Sequence, residues 1–487
     1  MENDRKFKQL LQKTRDCCPT ENMDEIRRVY EFARVAFGDR KRASGKSQLD
    51  HALDVAILLI DWKMPPDIVI AGLLHDILEY TTYTEEDIAK KFGRKVARLI
   101  IGENRLDSLK YMGKERYAEN LRRMFLAMAD DVQVVFIKFA DRVDNLRTLA
   151  GLPEEKKRRL ALESLNIYAP IAGRLGMDLI RRELEDLSFK NLMPKEYGKI
   201  SELVESYKKH ERKNYEQVKQ KIEDGAKTNG IKITAIENRI KSMYSLYRKA
   251  EAKKKNPTKI YDIAACRVIV PTVADCYTLL GIIHANWHPL PDRFKDFIAQ
   301  PKPNGYRSLH TNVFCNKTIV EFQIRTIEMH QEAEYGVTAH WIYKEQRDQW
   351  QKDFVKRTAW IKELFSIQKE IKNHADFSNT IKSVKLDLFK NRIFVLTPKG
   401  DVIDLPDDAT PLDYAYEIHV EIGHHYLSAK VNGEIVPMNH ILHSNDAVEI
   451  IRSHDQPTVK NSWLRVVATR HAREEIKNFL SKHADDE

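Results

Sequence analysis

The sequence predicts a three-part chain: an all-α domain first, an α+β unit in the middle, and a small β-grasp-like module after it. Three observations predict this. Apolar residues repeat at helical spacing through the N-terminal 195 residues. Segments rich in β-branched residues appear between 260 and 325, with helical segments around them. Two strand–turn–strand patterns then flank one helical pattern between 386 and 452. A length of 487 residues suits two to four domains.

The elements follow in order. From His51, apolar residues recur at Val55, Leu58, Leu59 and Trp62, a period near 3.6. "MPPDIVIAGLLHDIL" sets prolines at a helix start and predicts one apolar helix through His75 and Asp76. Thr84 and Asp87 predict a capping box, and Gly93 a stop. Gly225 and Gly230 mark a break, after which the pattern changes. "IYDIAACRVIV" and "TIVEFQIRT" predict strands, with helical "CYTLLGIIHANW" between them. "QPKPNGYRS" is a loop by its Pro and Gly content. A helical stretch beginning at "QEAEYGVTAHWIYKEQ" is expected to run to about Lys372. "NRIFVLTPKGDVIDLP" predicts strand, turn, strand. "TPLDYAYEIHVEIG" predicts one helix capped by Thr410, and "YLSAKVNGEIVPM" a hairpin turning at Asn432–Gly433.

Bulk properties narrow the class. The longest apolar runs, such as Val55 to Ile60, are far too short to span a membrane. "MENDRKFKQLLQK" has no apolar signal-peptide core, so a cytoplasmic protein without membrane partners is expected. Five cysteines, none paired as CxxC, fit a reducing compartment and exclude a disulfide or zinc-finger framework. Net charge is +9. Residues 386–452 hold 5 basic and 11 acidic residues, a net of −6, so the remainder carries +15. A basic body suits anionic ligands such as nucleotides or nucleic acid, although a solvated cationic surface has the same composition.

Two constellations carry chemistry. In the first, His51, the "HD" doublet His75–Asp76, and Asp141 fall on three predicted helices. Imidazoles mixed with carboxylates suit Mn, Fe or Zn better than Mg or Ca. Each residue alone reads as a capping or core residue. The set, followed by "ADRVDNLRTL", is much more specific. Glu79 lies three residues from Asp76 and four from His75, which on a helix turns it toward the same side.

In the second, "RFKDFIAQPKPNGYRSLHT" packs Arg293, Lys295, Lys302, Arg307 and His310 around a loop containing Asn304 and Tyr306. Cations on a loop clamp phosphates, and an aromatic stacks on a base. Asp262 starts one predicted strand, while Glu321, Gln323 and Arg325 share one face of another. Two carboxylates on neighbouring strands suit Mg²⁺ beside phosphates.

These motifs resemble the long RelA/SpoT homologues, the (p)ppGpp enzymes of the stringent response, over most of residues 1–455. The resemblance implies an HD-type helical domain at 1–195 and a nucleotidyltransferase-like synthetase domain at 196–345. It further implies a helical linker at 346–385, a TGS domain at 386–452 and the start of a helical regulatory region at 453–487. In the helical domain it implies His51, His75, Asp76 and Asp141 as ligands of Mn²⁺, and Arg42 and Asn145 as nucleotide contacts. The family's second motif reads HDxxED, whereas this chain has "HDILEY". Tyr80 stands where a carboxylate helps position or activate water beside Glu79. A phenol with a pKa near 10 is a neutral donor at pH 7, so weakened or lost hydrolysis is expected.

In the synthetase half the resemblance implies Tyr306 stacking on guanine, Asp262 holding Mg²⁺, and Glu321 as acid/base residue at the acceptor hydroxyl. Arg239 and Lys241 match the ATP side. Arg293, Lys295, Lys302, Asn304, His310 and Gln323 match phosphate and acceptor contacts. The implied reaction is that of a GTP pyrophosphokinase, moving pyrophosphate from ATP to GDP or GTP. The TGS resemblance implies sensing of tRNA on the ribosome, through His419 or His424 at most, because a module of charge −6 cannot grip phosphates broadly. Two other readings stand beside this one. One is a bifunctional enzyme dominated by (p)ppGpp hydrolysis. The other is a non-enzymatic ribosome or tRNA binder, for which intact Asp262 and Glu321 would have no use.

Overall fold

The computed structural model describes residues 2–17, 20–107, 123–124, 126–252, 263–291, 293–302, 304–315, 318–342, 392–443, 446–453 and 457–483. The chain divides into two units, residues 1–369 and 370–487, each described by itself. Among the described residues no helix is long and apolar enough to cross a membrane. Cys266, Cys276 and Cys315 are free thiols in the interior.

The first unit opens with helices. They are α1 (Glu2–Cys17), α2 (Thr20–Phe37), α3 (Gln48–Asp61), α4 (Pro66–Leu73), α5 (Ile77–Tyr80), α6 (Glu85–Asp107) and α7 (Gln133–Arg147). Next come α8 (Glu154–Glu163), a π-helical turn (Ser164–Tyr168), α9 (Ala169–Arg174), α10 (Asp178–Leu192) and the long α11 (Pro194–Thr228). Helix α3 is buried almost all round, as its continuous apolar sequence requires. Gly72 lets α4 approach it: a Cβ there would sit 2.3 Å from Leu59 Cδ1. The predicted box at Thr84 is present, with the Asp87 N–H donating to Thr84 Oγ1 and the Thr84 N–H to Asp87 Oδ2. Gly93 ends one helix, as expected, and a second begins directly after it, so that α6 is two helices joined at this residue, whose φ is 87°.

One expectation fails in a way that shapes the metal centre. "MPPDIVIAGLLHDIL" is not one helix. Helix α4 stops at Leu73, Leu74 to Asp76 form a turn, and the short α5 follows. His75 and Asp76 therefore leave the axis of α4, while Asp76 caps α5 and keeps its helical spacing to Glu79.

The sheet comprises β1 (Ala235–Ile240), β2 (Ala264–Val270), β3 (Lys295–Asp296), β4 (Leu309–Cys315) and β5 (Thr318–Thr326) in the order β1-β2-β5-β4-β3. Only β2 and β5 run parallel, which makes the sheet mixed. Helices α12 (Met243–Ala252), α13 (Val273–Asn286) and α14 (Ile327–Tyr335) complete the unit, with a 3₁₀ turn at Gly336–Ile342. One face packs Cys266, Val268, Phe322 and Ile324 against Val218 and Ile222 of α11 and Leu279 and Ile283 of α13. The other face carries Arg239, Glu321, Gln323 and His310. Gly336, at φ 60°, brings its backbone against the α9–α10 turn, and the Val337 N–H donates to the Leu175 carbonyl at 3.0 Å. The segment expected to continue as helix beyond Ile342, the expected linker 346–385, and Asp262 lie outside the described residues.

In the second unit, β6 (Arg392–Leu396) and β7 (Val402–Pro406) form one hairpin. Strands β8 (Tyr426–Val431), β9 (Glu434–Val436) and β10 (Val448–Arg452) form a sheet ordered β10-β8-β9. The Asn432–Gly433 turn has φ values of 54° and 88°, the conformation this dipeptide favours in a two-residue hairpin. "TPLDYAYEIHVEIG" forms two helices rather than one, α15 (Pro411–Ile418) and α16 (Val420–His424). His419 is extended at φ −168° and caps α16 by accepting the Glu421 N–H. A 3₁₀ turn (Asn461–Arg465) and α17 (Arg470–Lys482) add Trp463, Val467, Ala472 and Ile476 to the core under α15. Buried Asp413 caps α15 through Thr410 and also accepts the N–H groups of Ala468 (3.0 Å) and Thr469 (2.7 Å).

Candidate metal centre and nucleotide site

His51 on α3, His75 and Asp76 in the turn after α4, and Asp141 on α7 converge in the helical interior. His51 Nδ1 lies 2.6 Å from Asp144 Oδ2, and His75 Nδ1 lies 2.7 Å from the Gly72 carbonyl oxygen. Both partners are acceptors, so each imidazole donates from Nδ1 and turns Nε2 toward the centre. The two Nε2 atoms face each other at 3.2 Å. Lone pairs that close repel unless a cation or a proton lies between them. Asp141 Oδ1 is 3.3 Å from His51 Nε2, and Asp76 Oδ2 is 3.3 Å from His75 Nε2. Two imidazole nitrogens and the Asp141 carboxylate around one point suit a divalent transition metal, whereas Asp76, expected as a fourth ligand, falls outside this group and accepts from Arg42 and Gln48. His51, His75 and Asp141 meet the geometric requirement for holding an ion.

The electrostatics favour positive charge at this point, as a proton on His75 or as a metal ion in its place. Burial disfavours charge on His75, yet Asp76 more than offsets it and moves the imidazole pKa up to about 10. Burial likewise opposes charge on Asp141, but Lys138 and His51 hold that carboxyl well below its usual range. Lys138, fully buried, binds Asp141 Oδ2 at 2.9 Å and buried Glu103 at 3.1 Å. This leaves Asp141 Oδ1 for the centre. Asn145 Nδ2 donates to that same oxygen at 2.7 Å. Arg42 reaches Asp76 at 3.0 Å and Asn145 at 2.9 Å. Gln48 also donates to Asp76.

Arg42, Asn145 and Tyr80 also line a cavity of about 250 Å³ beside this centre, together with Lys41, Ser44 and Lys156. Tyr80 is half-buried, with the Arg40 guanidinium 5.9 Å from its ring centre. Burial and the nearby Asp76 and Glu79 carboxylates, the second hydrogen-bonded to the phenol, raise its pKa far above 10. Glu79 is exposed. The break at Leu74 precedes the Asp76–Glu79 pair, whose helical spacing persists, with the Glu79 and Tyr80 N–H groups donating to the Asp76 carbonyl at 3.2 and 3.1 Å. Asp144, Gln48, Lys138 and Glu103 went unread in the sequence. Asp144 had a signal, since "ADRVDN" puts it one helical turn from Asp141.

The second site is built across all five strands. One row of register partners runs Glu237, Arg267, Gln323, His310, Lys295. The next runs Arg239, Ala265, Glu321, Asn312, and small Ala265 leaves room between Arg239 and Glu321. Lys241 Nζ is 3.0 Å from Glu321 Oε2, and Gln323 Nε2 donates to Glu321 Oε1 at 2.8 Å. Gln323 in turn accepts from Arg239 at 3.1 Å. Burial pushes the Glu321 carboxyl up, but Lys241 and Gln323 outweigh it and hold it below its ordinary value.

Tyr306 Oη is 2.7 Å from His310 Nε2. Burial drives the His310 pKa down to about 3, so its ring is neutral. Tyr306 therefore donates to Nε2, and His310 Nδ1 faces Glu321 Oε1 at 3.5 Å. The loop holding Tyr306 closes with the Gly305 N–H on the Lys302 carbonyl (2.7 Å) and the Tyr306 N–H on Asn304 Oδ1 (3.2 Å). Lys302 lies 5.3 Å from the Tyr306 ring centre, its pKa lowered by burial and then by Lys295. Arg293 and Lys295 are exposed, while Arg307 pairs with Glu332 at 3.1 Å. Asp262 lies just before β2, which pairs with β5 at Ala265–Glu321.

A buried helical site with a His/Asp ligand set and a cationic, aromatic-bearing sheet face are the two candidate sites of this chain. The chain belongs to the RelA/SpoT family. The HD domain family matches residues 30–178, the region found in RelA/SpoT proteins matches 238–348, and the TGS domain matches 393–452. The guanosine-3′,5′-bis(diphosphate) 3′-pyrophosphohydrolase of Aquifex aeolicus is 42% identical over 95% of this chain and 65% of its own length. A GTP pyrophosphokinase of Myxococcus xanthus is 41% identical over 95% of this chain and 61% of its own. The bifunctional (p)ppGpp synthase/hydrolase SpoT of Escherichia coli is 38% identical over 99% of this chain and 68% of its own. The chain thus spans about two thirds of the length of these relatives.

Proposed function

We propose that this chain transfers the pyrophosphoryl group of ATP to the 3′-hydroxyl of GDP or GTP. The observation that carries the reading is the Lys241–Glu321–Gln323 cluster beside Tyr306 and His310 on one sheet face. The acceptor 3′-oxygen bonds to the β-phosphorus of ATP, the bond from that phosphorus to the α–β bridging oxygen breaks, and AMP leaves. Glu321, ionised at neutral pH, takes the hydroxyl proton. Tyr306 presents a face for guanine, while Lys302, Lys295 and Arg293 supply positive charge to the phosphates. Bound Mg²⁺, with Asp262 among its ligands, would neutralise the ATP phosphates. Glu321→Gln is close to isosteric, so it should leave ATP binding intact and remove transfer. A well-folded variant that transfers at the wild-type rate overturns the assignment.

For the helical site we propose Mn²⁺ binding by His51, His75 and Asp141, with slow (p)ppGpp hydrolysis. A bound metal would supply an activated water. Position 80 then lacks the carboxylate that would assist it, because Tyr80 is a neutral donor already engaged with Glu79. The rival reading, a bifunctional enzyme dominated by hydrolysis, draws on the intact ligand set and the adjoining cavity. Hydrolysis and synthesis rates from one preparation distinguish the two. We further place the protein in the cytoplasm and assign contact with tRNA on the ribosome to the β-grasp module. His419 is exposed, whereas His424 packs on Phe479, which favours His419 for that contact.

A further inference from the structure

The β-grasp unit holds a second convergence of metal-binding side chains, on the loop between β9 and β10. A ring nitrogen of His440, a ring nitrogen of His443 and a carboxylate oxygen of Asp446 all lie within 4.8 Å of one another. This is the only such group among the described residues apart from the buried helical centre.

The described residues of this loop are anchored, so the three side chains are held where they meet. Leu442, between the two histidines, is fully buried with Ile393, Val395 and Tyr414. Its N–H donates to the Ala409 carbonyl at 2.9 Å. The His440 N–H closes a turn on Pro437 at 3.0 Å, and the Leu396 N–H holds the Asp446 carbonyl at 2.8 Å. The Asp446 carboxylate is oriented from two sides. Its Oδ2 accepts the His443 N–H at 2.7 Å, and its Oδ1 accepts Asn432 Nδ2 at 3.0 Å. Asn432 is itself pinned in the left-handed hairpin turn, where its Oδ1 accepts the Ala447 N–H at 2.9 Å. Each carboxylate oxygen keeps a second lone pair for a ligand. His443 Nδ1 stands 3.9 Å from Asp446 Oδ2, outside hydrogen-bond range and close enough for one ion to bridge them.

We propose that His440, His443 and Asp446 form a surface site for a divalent transition metal of the zinc class, with water completing the shell. Two imidazoles and one carboxylate exclude Mg²⁺ and Ca²⁺ as preferred occupants and suit Zn²⁺, Co²⁺ or Ni²⁺. Three protein ligands leave the open position typical of non-structural sites. The His443 side chain is 76% exposed, so the ion exchanges with solvent and binds more weakly than at the buried centre. A bound ion ties the β9–β10 loop to the Asn432 turn and reduces the charge of an acidic module. Because it binds only the folded form, it stabilises the unit by mass action.

The test uses the full chain, stripped with chelator and dialysed against Zn²⁺. Wild-type protein is expected to bind two equivalents. The His440→Ala/His443→Ala protein should bind one and keep its transfer activity. His75→Ala should also bind one, and the triple variant none. Asn432→Ala should weaken the loop site about ten- to a hundredfold, as loss of an orienting partner does elsewhere. Equal Zn²⁺ stoichiometry in wild-type and His440→Ala/His443→Ala protein overturns the proposal. Loss of an equivalent in His75→Ala alone bears only on the buried centre.

Discussion

Arg239 Nη2 lies 2.7 Å from Asp178 Oδ2, joining a cation of the first strand to the first residue of helix α10. Asp178 also engages Arg181 and, at 3.1 Å, Arg182. One carboxylate thus organises three guanidinium groups beside the cationic sheet face.

Removing that carboxylate takes a shared partner from three cations, of which Arg181 keeps Glu185 and Arg182 keeps Glu334. Asp178→Asn should lower stability by roughly 1–3 kcal/mol at pH 7, between the values for exposed and buried pairs, because the side chain is 26% exposed. Burial raises the Asp178 pKa, but the three arginines lower it further, to well below the ordinary value. A depressed carboxyl contributes stability that is full above the unfolded pKa near 4 and is lost as pH falls below it. Denaturant melts from pH 6 to pH 2 should therefore show a shallower acid slope in Asp178→Asn. Identical slopes would mean that the contact carries no folding energy.

His310 gives the opposite kind of pH statement. Its pKa of about 3, set by burial, means that it does not titrate in the native protein between pH 5 and 8. The rate of transfer should show no limb near pH 6.5 that disappears in His310→Asn. The unfolded chain does bind a proton at this residue below about pH 6.5. The native protein therefore loses stability as pH falls from 6.5 toward 3. A limb at pH 6.5 that His310→Asn abolishes would contradict a neutral His310.

Tyr306→Ala separates stacking from packing. Base stacking contributes about 1–3 kcal/mol, so the KM for GDP should rise roughly ten- to a hundredfold while the KM for ATP barely changes. Equal losses for both nucleotides would mark Tyr306 as support for His310 and Lys302 instead.

Tyr80→Asp tests the helical site. Restoring a carboxylate should raise Mn²⁺-dependent pyrophosphate release from ppGpp, by up to about 10²–10⁴-fold. His75→Ala in that background should erase the gain, since it removes a ligand. Replacing a half-buried ring by a smaller group opens the cavity it lines, so thermal melting must accompany the rates. Wild-type hydrolysis as fast as wild-type synthesis would show that the site needs no carboxylate at position 80.

Local features were legible in the sequence, and contacts between distant segments were not. The Thr84 box, the Asn432–Gly433 turn and the shared face of Glu321 and Gln323 depend on neighbours within a few residues. Asp144 and Asp178 depend on partners 93 and 61 residues away, and periodicity carries no such information. The break before His75 was hidden because Leu73, Leu74 and Ile77 continue an apolar pattern that a helix would also satisfy. The turn places His75 and Asp76 against His51, a tertiary preference that overrides the local one. His419 splits the helix after Thr410 for a local reason, because its ring caps the next helix, but that signal is weaker than Ser or Asp at the same position.

The most direct measurement follows a label. Purified protein is incubated with Mg²⁺, GDP and ATP labelled at the γ-phosphate, and the nucleotides are separated and counted. The account predicts label on the 3′-position of the guanosine product, one AMP formed for each such product, and neither in Glu321→Gln. Label recovered only in inorganic phosphate or unreacted ATP, from folded protein that binds both nucleotides, would contradict it.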